Sequence, residues 1–131
     1  MKTDVSSLPS NKQAELSKIT AVIKSITDIE MVILFGSYAR GDWVEEKDEE
    51  GRYRYQSDFD LLVIVGNKNE RAQSKYEHEI QSLLEKERSI KTPVSIIVHD
   101  IEFVNKRLKK AQYFFTDIKR EGIILYDPIF R

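Results

Sequence analysis

Two short stretches of this chain carry residue types that could handle a phosphorylated substrate. The first is Gly36-Ser37, which ends the apolar run Met31-Val32-Ile33-Leu34-Phe35 and leads into Tyr38-Ala39-Arg40-Gly41-Asp42. A glycine at a strand end lets backbone approach a ligand, because no Cβ stands in the way. A serine opening the next helix adds a hydroxyl to free backbone amides, which attract phosphate. Arg40, one turn on, can add a fork of donors to a phosphate oxygen. Taken alone, Gly-Ser at a strand end is more often a plain turn. The second stretch is Ser57-Asp58-Phe59-Asp60-Leu61-Leu62-Val63-Ile64-Val65. Residues two apart on a strand share a face, so Asp58 and Asp60 project together. Neighbouring carboxylates repel, and one takes up a proton unless a cation sits between them. Such a pair suits Mg²⁺, which keeps several waters and takes substrate phosphates as further ligands. The plain alternative is a polar strand start with two solvated aspartates.

The elements that must position these residues follow from pattern. Residues 1–9 read as a flexible lead ending at Pro9. Ser10 and Gln13 have capping-box spacing, and Leu16, Ile19, Ile23 and Ile26 make the apolar stripe of a first helix. The runs 31–35 and 59–65 are short, apolar and bounded, as expected of strands buried on both faces. A turn of helix is expected from Ser37 to Arg40. Residues 69–88 read as a helix with Ala72, Tyr76, Ile80, Leu83 and Leu84 on one face. Pro93 opens a strand at 94–98. Asp100 is placed to cap one last long helix, striped by Ile101, Val104, Leu108, Ala111, Phe115 and Ile118 and ended by Gly122. Residues 123–126 are a final short strand. If strands 31–35 and 59–65 are antiparallel neighbours, the Gly-Ser turn and the carboxylate pair meet at one edge of the sheet.

Composition narrows the classes. The 131 residues fit one domain, expected to span 10–131. No cysteine is present, which excludes disulfides, thiolate catalysis and cysteine-based zinc sites. A net charge of −1 gives no global pull toward nucleic acid or anionic membrane. No apolar run approaches the ~20 residues that span a bilayer, and the N-terminus lacks the apolar core of a secretory signal. A cytoplasmic protein is expected.

Gly36-Ser37-Tyr38-Ala39-Arg40-Gly41 followed by Ser57-Asp58-Phe59-Asp60-Leu61-Leu62-Val63 resembles the signature of the DNA polymerase beta-type nucleotidyltransferase superfamily. The chain is most similar there to the minimal nucleotidyltransferases that accompany HEPN domains. The resemblance implies an α/β (α+β) fold, a nucleotidyltransferase-like mixed sheet of about four strands flanked by helices. It implies ATP or another nucleoside triphosphate as substrate, Mg²⁺ as cofactor, and transfer of a nucleoside monophosphate to a hydroxyl with loss of pyrophosphate. By position, Gly36, Ser37 and Arg40 would bind the nucleotide, and Asp58 and Asp60 would be the catalytic metal ligands. The acceptor could be a tyrosine of a HEPN partner, either a separate protein of a toxin–antitoxin pair or a C-terminal HEPN domain. The chain ends at Ile129-Phe130-Arg131, soon after a strand, as expected of the N-terminal part of a longer protein or one half of a two-gene pair.

Two features depart from the family pattern. Residues 38–57 separate the motifs by more than is usual, so 43–57 is an inserted loop or hairpin. It is either solvated or a lid, with Trp43, Tyr53 or Tyr55 available to stack on a base. Active members also carry a third carboxylate early in the next strand. A right-handed βαβ crossover makes strands 59–65 and 94–98 parallel, which puts Ser95 at that position. His99 and Asp100 lie roughly 13 Å further along the strand, too far to substitute, and His78 reads as a surface residue. The leading expectation is an enzyme. A catalytically weak or inactive nucleotide- or partner-binding module is the alternative, favoured by Ser95. Nucleic-acid binding through Lys106, Arg107, Lys109, Lys110, Lys119 and Arg120 is a third reading, but these residues fit a solvated face better.

Overall fold

A computed structural model of the protein describes residues 1–26 and 28–128. The chain runs α1 (Ser10–Lys24), β1 (Ile29–Phe35), α2 (Ser37–Arg40), β2 (Glu45–Lys47), β3 (Tyr53–Gln56), β4 (Phe59–Val65), α3 (Glu70–Glu85), β5 (Val94–Asp100), α4 (Ile101–Lys109), α5 (Tyr113–Glu121) and β6 (Ile123–Tyr126). Four strands form one sheet in the order β5-β4-β1-β6. β1 is antiparallel to β4 and to β6, and β4 is parallel to β5, so the sheet is mixed as expected. None of the helices among the described residues is long and apolar enough to cross a membrane.

Strand alternation divides the core between the two faces of the sheet. Val32, Leu34, Leu61, Val63 and Val65 pack with Leu16, Ile19 and Ile23 of α1 and Ile80 and Leu84 of α3. Ile33, Leu62 and Ile64 pack on the other side with Val104 of α4 and Phe115 and Ile118 of α5. Asp58 and Asp60 are in step with Leu62 and Ile64, so the carboxylate pair belongs to the α4–α5 side.

Three expectations are corrected. The last helix is two. A single helix from 101 to 121 would run about 30 Å, longer than the ~23 Å of the seven-residue strands it must cover. The chain instead breaks at Ala111, whose φ is +54°, and α5 starts anew and packs Phe115 and Ile118 on the same face of the sheet. Ile101 and Ala111 consequently leave the apolar stripe and are exposed. The Ser10–Gln13 capping box does not form: Pro9 is the cap, its carbonyl accepts from the backbone amides of Lys12 and Gln13, and the Gln13 side-chain Nε2 donates to the Leu8 carbonyl instead (2.7 Å). The lead is held at two points. Lys2 bridges to β6, donating to the Gly122 carbonyl and accepting from the Ile124 amide, and Leu8 is buried in the core. The terminal segment Ile129-Phe130-Arg131 lies outside the described residues.

Residues 43–57 are an antiparallel hairpin, with Gly51 at φ +82° in its turn. Its base is closed next to the carboxylates: Ser57 donates its amide to the Val44 carbonyl, and the Val44 amide donates to the Ser57 hydroxyl.

Candidate functional site

The register of β1 against β4 pairs Phe35 with Asp60. The Gly36 turn is thereby set against the start of β4. Gly36 adopts φ +75°, a conformation that side chains disfavour, and a Cβ added there would lie 2.3 Å from the Asp60 Oδ2. Backbone and carboxylate meet only because the residue is glycine. α2 then starts at Ser37; the Ala39 and Arg40 amides bond back to the Gly36 carbonyl, and the first amides of so short a helix have no intrahelical acceptor.

Asp58 and Asp60 are both half-buried. Burial pushes the Asp60 carboxyl above its ordinary range, the Asp58 charge pushes it further, and Arg40 opposes the shift. A cation between the two would relieve that repulsion. Arg40 stays exposed at the rim, its Nε 3.3 Å from Asp42 Oδ2 and its Nη1 3.8 Å from Glu121 Oε2. Asp60 pairs with Ser95 on β5, and the Ser95 hydroxyl donates to Asp58 Oδ2 at 2.9 Å. Two carboxylates, one hydroxyl and a close backbone turn therefore share one end of one sheet face. Two oxygens of this charge suit Mg²⁺ if phosphate completes the ligand set. Among the described residues no group of three His, Cys, Asp or Glu is arranged to hold a metal.

The two histidines and Asp100 lie elsewhere. His99 pairs with Ile64 toward the far end of the strand, stacked on Phe103 at 4.1 Å, and burial lowers its pKa. Asp100 caps α4, accepting from the Phe103 amide at 3.0 Å, and also accepts from Gln73. His78 is exposed. Of the three aromatics in the insert, Trp43 has one face stacked on Tyr38 (centroids 4.8 Å apart) and is half-buried. Tyr53 and Tyr55 remain exposed.

Sequence reasoning missed the polar hub beneath the site. Lys12, 2% exposed, donates to Thr92 Oγ1 at 2.7 Å and to Glu45 of the hairpin. Its ammonium lies 5.6–5.9 Å from the ring centres of Tyr38, Trp43 and Phe59. Glu15 accepts from the Thr92 amide and hydroxyl and from the Lys91 amide. One signal was available: Lys12 continues the series Leu16, Ile19, Ile23 backward by one turn, so a charged side chain stands in register with a core stripe.

The profile of the family described as "Polymerase beta, Nucleotidyltransferase" matches residues 17–128. An inferred protein adenylyltransferase of Methanocaldococcus jannaschii is 32% identical over 98 residues, which is 75% of this chain and 79% of the relative. Among solved structures, a toxin–antitoxin with AMP-PNP matches at TM-score 0.51 and 18% identity, over 86% of this chain and 73% of that one, a likeness of fold. A tri-AMPylated Shewanella oneidensis HEPN toxin in complex with MNT antitoxin matches at TM-score 0.48 and 17% identity, over 89% of this chain and 73% of the other.

Proposed function

The chain belongs to the polymerase beta nucleotidyltransferase family, and on that premise we propose that it transfers a nucleoside monophosphate from ATP or another nucleoside triphosphate to a protein hydroxyl. Gly36 and Ser37 would hold the triphosphate, Arg40 would reach it from the rim, and Asp58 and Asp60 would hold Mg²⁺. The observation that carries this reading is the contact between turn and carboxylate: Gly36 has room for backbone and none for a Cβ against Asp60. A phosphate on the turn is then within reach of whatever the carboxylates hold. Mg²⁺ bound there would offset charge on the phosphates and on the transition state.

The chemistry asked of the chain is positioning. The acceptor oxygen forms a bond to the α-phosphorus, the bond from that phosphorus to the bridging oxygen breaks, and pyrophosphate leaves with that oxygen. Held in line by Ser37 and Arg40, the substrate needs little else beyond removal of the hydroxyl proton. The protein acceptor is supported by the description of the M. jannaschii relative. A HEPN protein as the acceptor rests on the motif resemblance.

A second reading has its own observation. Ser95 stands beside Asp60 and bonds Asp58; a hydroxyl is a poor metal ligand and a poor base, and lack of a general base costs about 10²–10⁴ in rate. A slow enzyme or a nucleotide-binding module is the outcome if nothing replaces it. Incubation with α-labelled ATP, Mg²⁺ and the product of the neighbouring gene separates these readings. We expect label on the partner, lost in Asp58→Ala/Asp60→Ala and raised at least tenfold by Ser95→Asp. Label transfer that survives the double substitution sinks the proposed site.

A further inference from the structure

Beyond the phosphate and metal groups, we propose that Phe114, seated on Phe35, is the surface on which the nucleobase stacks. The inference rests on the nucleotide reading above and extends it to the base.

Phe35 is the last residue of β1 before the Gly36 turn, and its Cα is the partner of Asp60. Paired residues of neighbouring antiparallel strands turn their side chains to the same face. Phe35 and Asp60 therefore stand together on the α4–α5 side. α5 crosses that face. Phe114 meets Phe35 edge to face, with ring centroids 5.5 Å apart and planes at 81°. Glu121, at the other end of α5, reaches Arg40 on the rim. The helix thus borders the carboxylate site from Phe114 to Glu121.

The two adjacent phenylalanines of α5 are used differently. Phe115 is buried, packed against His99 and Phe103 in the core. Phe114 is 49% exposed although an apolar neighbour is within reach, and Tyr113 before it is 85% exposed. Large aromatic surface left in water beside a phosphate site calls for a flat ligand, and every base has a π-face that stacks on it. In the insert, Trp43 is stacked on Tyr38 and Tyr53 lines a cavity with Lys12 and Glu15 of α1, which leaves Tyr55 as the exposed competitor. Stacking is tolerant of base identity, so the surface predicts broad use of nucleoside triphosphates with purines favoured by their larger area.

The test compares two ligands on the intact chain: a non-hydrolysable ATP analogue and inorganic triphosphate, each titrated calorimetrically with Mg²⁺. Phe114→Ala and Phe114→Leu should weaken the ATP analogue about tenfold or more and leave triphosphate unchanged. Leucine keeps apolar packing on Phe35, so it separates lost stacking from lost structure, and Phe114→Tyr should restore affinity. If both ligands weaken together, or if the analogue binds all variants alike, the stacking surface is overturned while the phosphate site stands. If Phe114 substitutions alter only the KM for the protein acceptor, the ring serves the acceptor and the proposal fails. If the unaltered protein binds neither ligand, the nucleotide reading falls and this inference falls with it.

Discussion

Asp60 is where the cost of the site is concentrated. Its carboxyl is raised from the ordinary value by burial, then by Asp58, with Arg40 working against both. The unfolded chain has neither influence, so it ionises at lower pH than the folded one. Asp60's own contribution to folding is therefore most favourable below the ordinary carboxylate range, about pH 4, and is lost as pH rises through and above it. Asp60→Asn cannot ionise and escapes that loss. Without divalent metal, the variant should melt above the unaltered protein at neutral pH, and the gap should close as pH falls below about 4. It should also be inactive. Thermal melts across pH in a chelating buffer check this; a variant that melts lower at neutral pH would show that Asp60 is stabilised where it lies. Such a gain on removing a functional group is the expected mark of a site that trades stability for binding.

At the scale of elements, the hairpin β2–β3 and the turn leading to α2 share one support. Lys12 ties α1 to Thr92 before β5 and to Glu45 in β2, and lies over the rings of Tyr38 and Phe59. Burial pushes its pKa down, but the bond to the Glu45 carboxylate, with the neighbouring Tyr38, outweighs that and leaves it raised and charged. Removing one member of a buried ion pair costs about 3–5 kcal/mol. Lys12→Met should fall near the lower end, since Glu15 keeps its bonds to Lys91 and Thr92 and Glu45 can turn to water. Denaturant melts measure the loss, and adding Glu45→Gln should recover part of it; an unchanged midpoint for Lys12→Met would remove the hub from the account. This support was hard to read in the sequence, because its members are scattered from residue 12 to residue 92 and meet only through packing. The strands were legible because their apolar runs are bounded by Gly and Pro, and the β4 bounds Phe59–Val65 follow directly from the pattern. Asp100 was legible as a cap for the same local reason. The break at Ala111 was not: the stripe from Val104 to Ile118 keeps helical spacing across it, and only the length of the sheet demands two helices.

Taken as a whole, the molecule is a small mixed sheet with its two signature motifs joined at one end of one face. The juxtaposition of Gly36 with Asp60 was anticipated from antiparallel pairing of β1 and β4. The side chains on its own face, Phe35 and Phe114, and the Lys12 hub on the opposite face required the fold. A site made of half-buried like charges should be bound to its ligand through global stability, since a ligand that binds only the folded state adds RT ln(1 + [L]/Kd). At a hundred times its Kd, Mg²⁺–ATP analogue adds about 2.7 kcal/mol. For a chain between the 100- and 150-residue cases, each kcal/mol moves Tm by about 4 °C, so a rise of roughly 10 °C is expected. Triphosphate without metal should give much less, because it adds negative charge beside Asp58 and Asp60. Asp58→Ala/Asp60→Ala should lose the metal-dependent part and keep whatever the Gly36–Ser37 turn contributes alone. The same melts separate the two functional readings: a full shift accompanied by label transfer is the enzyme, and a full shift with no transfer to any hydroxyl is the binding module that Ser95 favours. No shift with either ligand would leave the meeting of turn and carboxylates as a packing feature and nothing more.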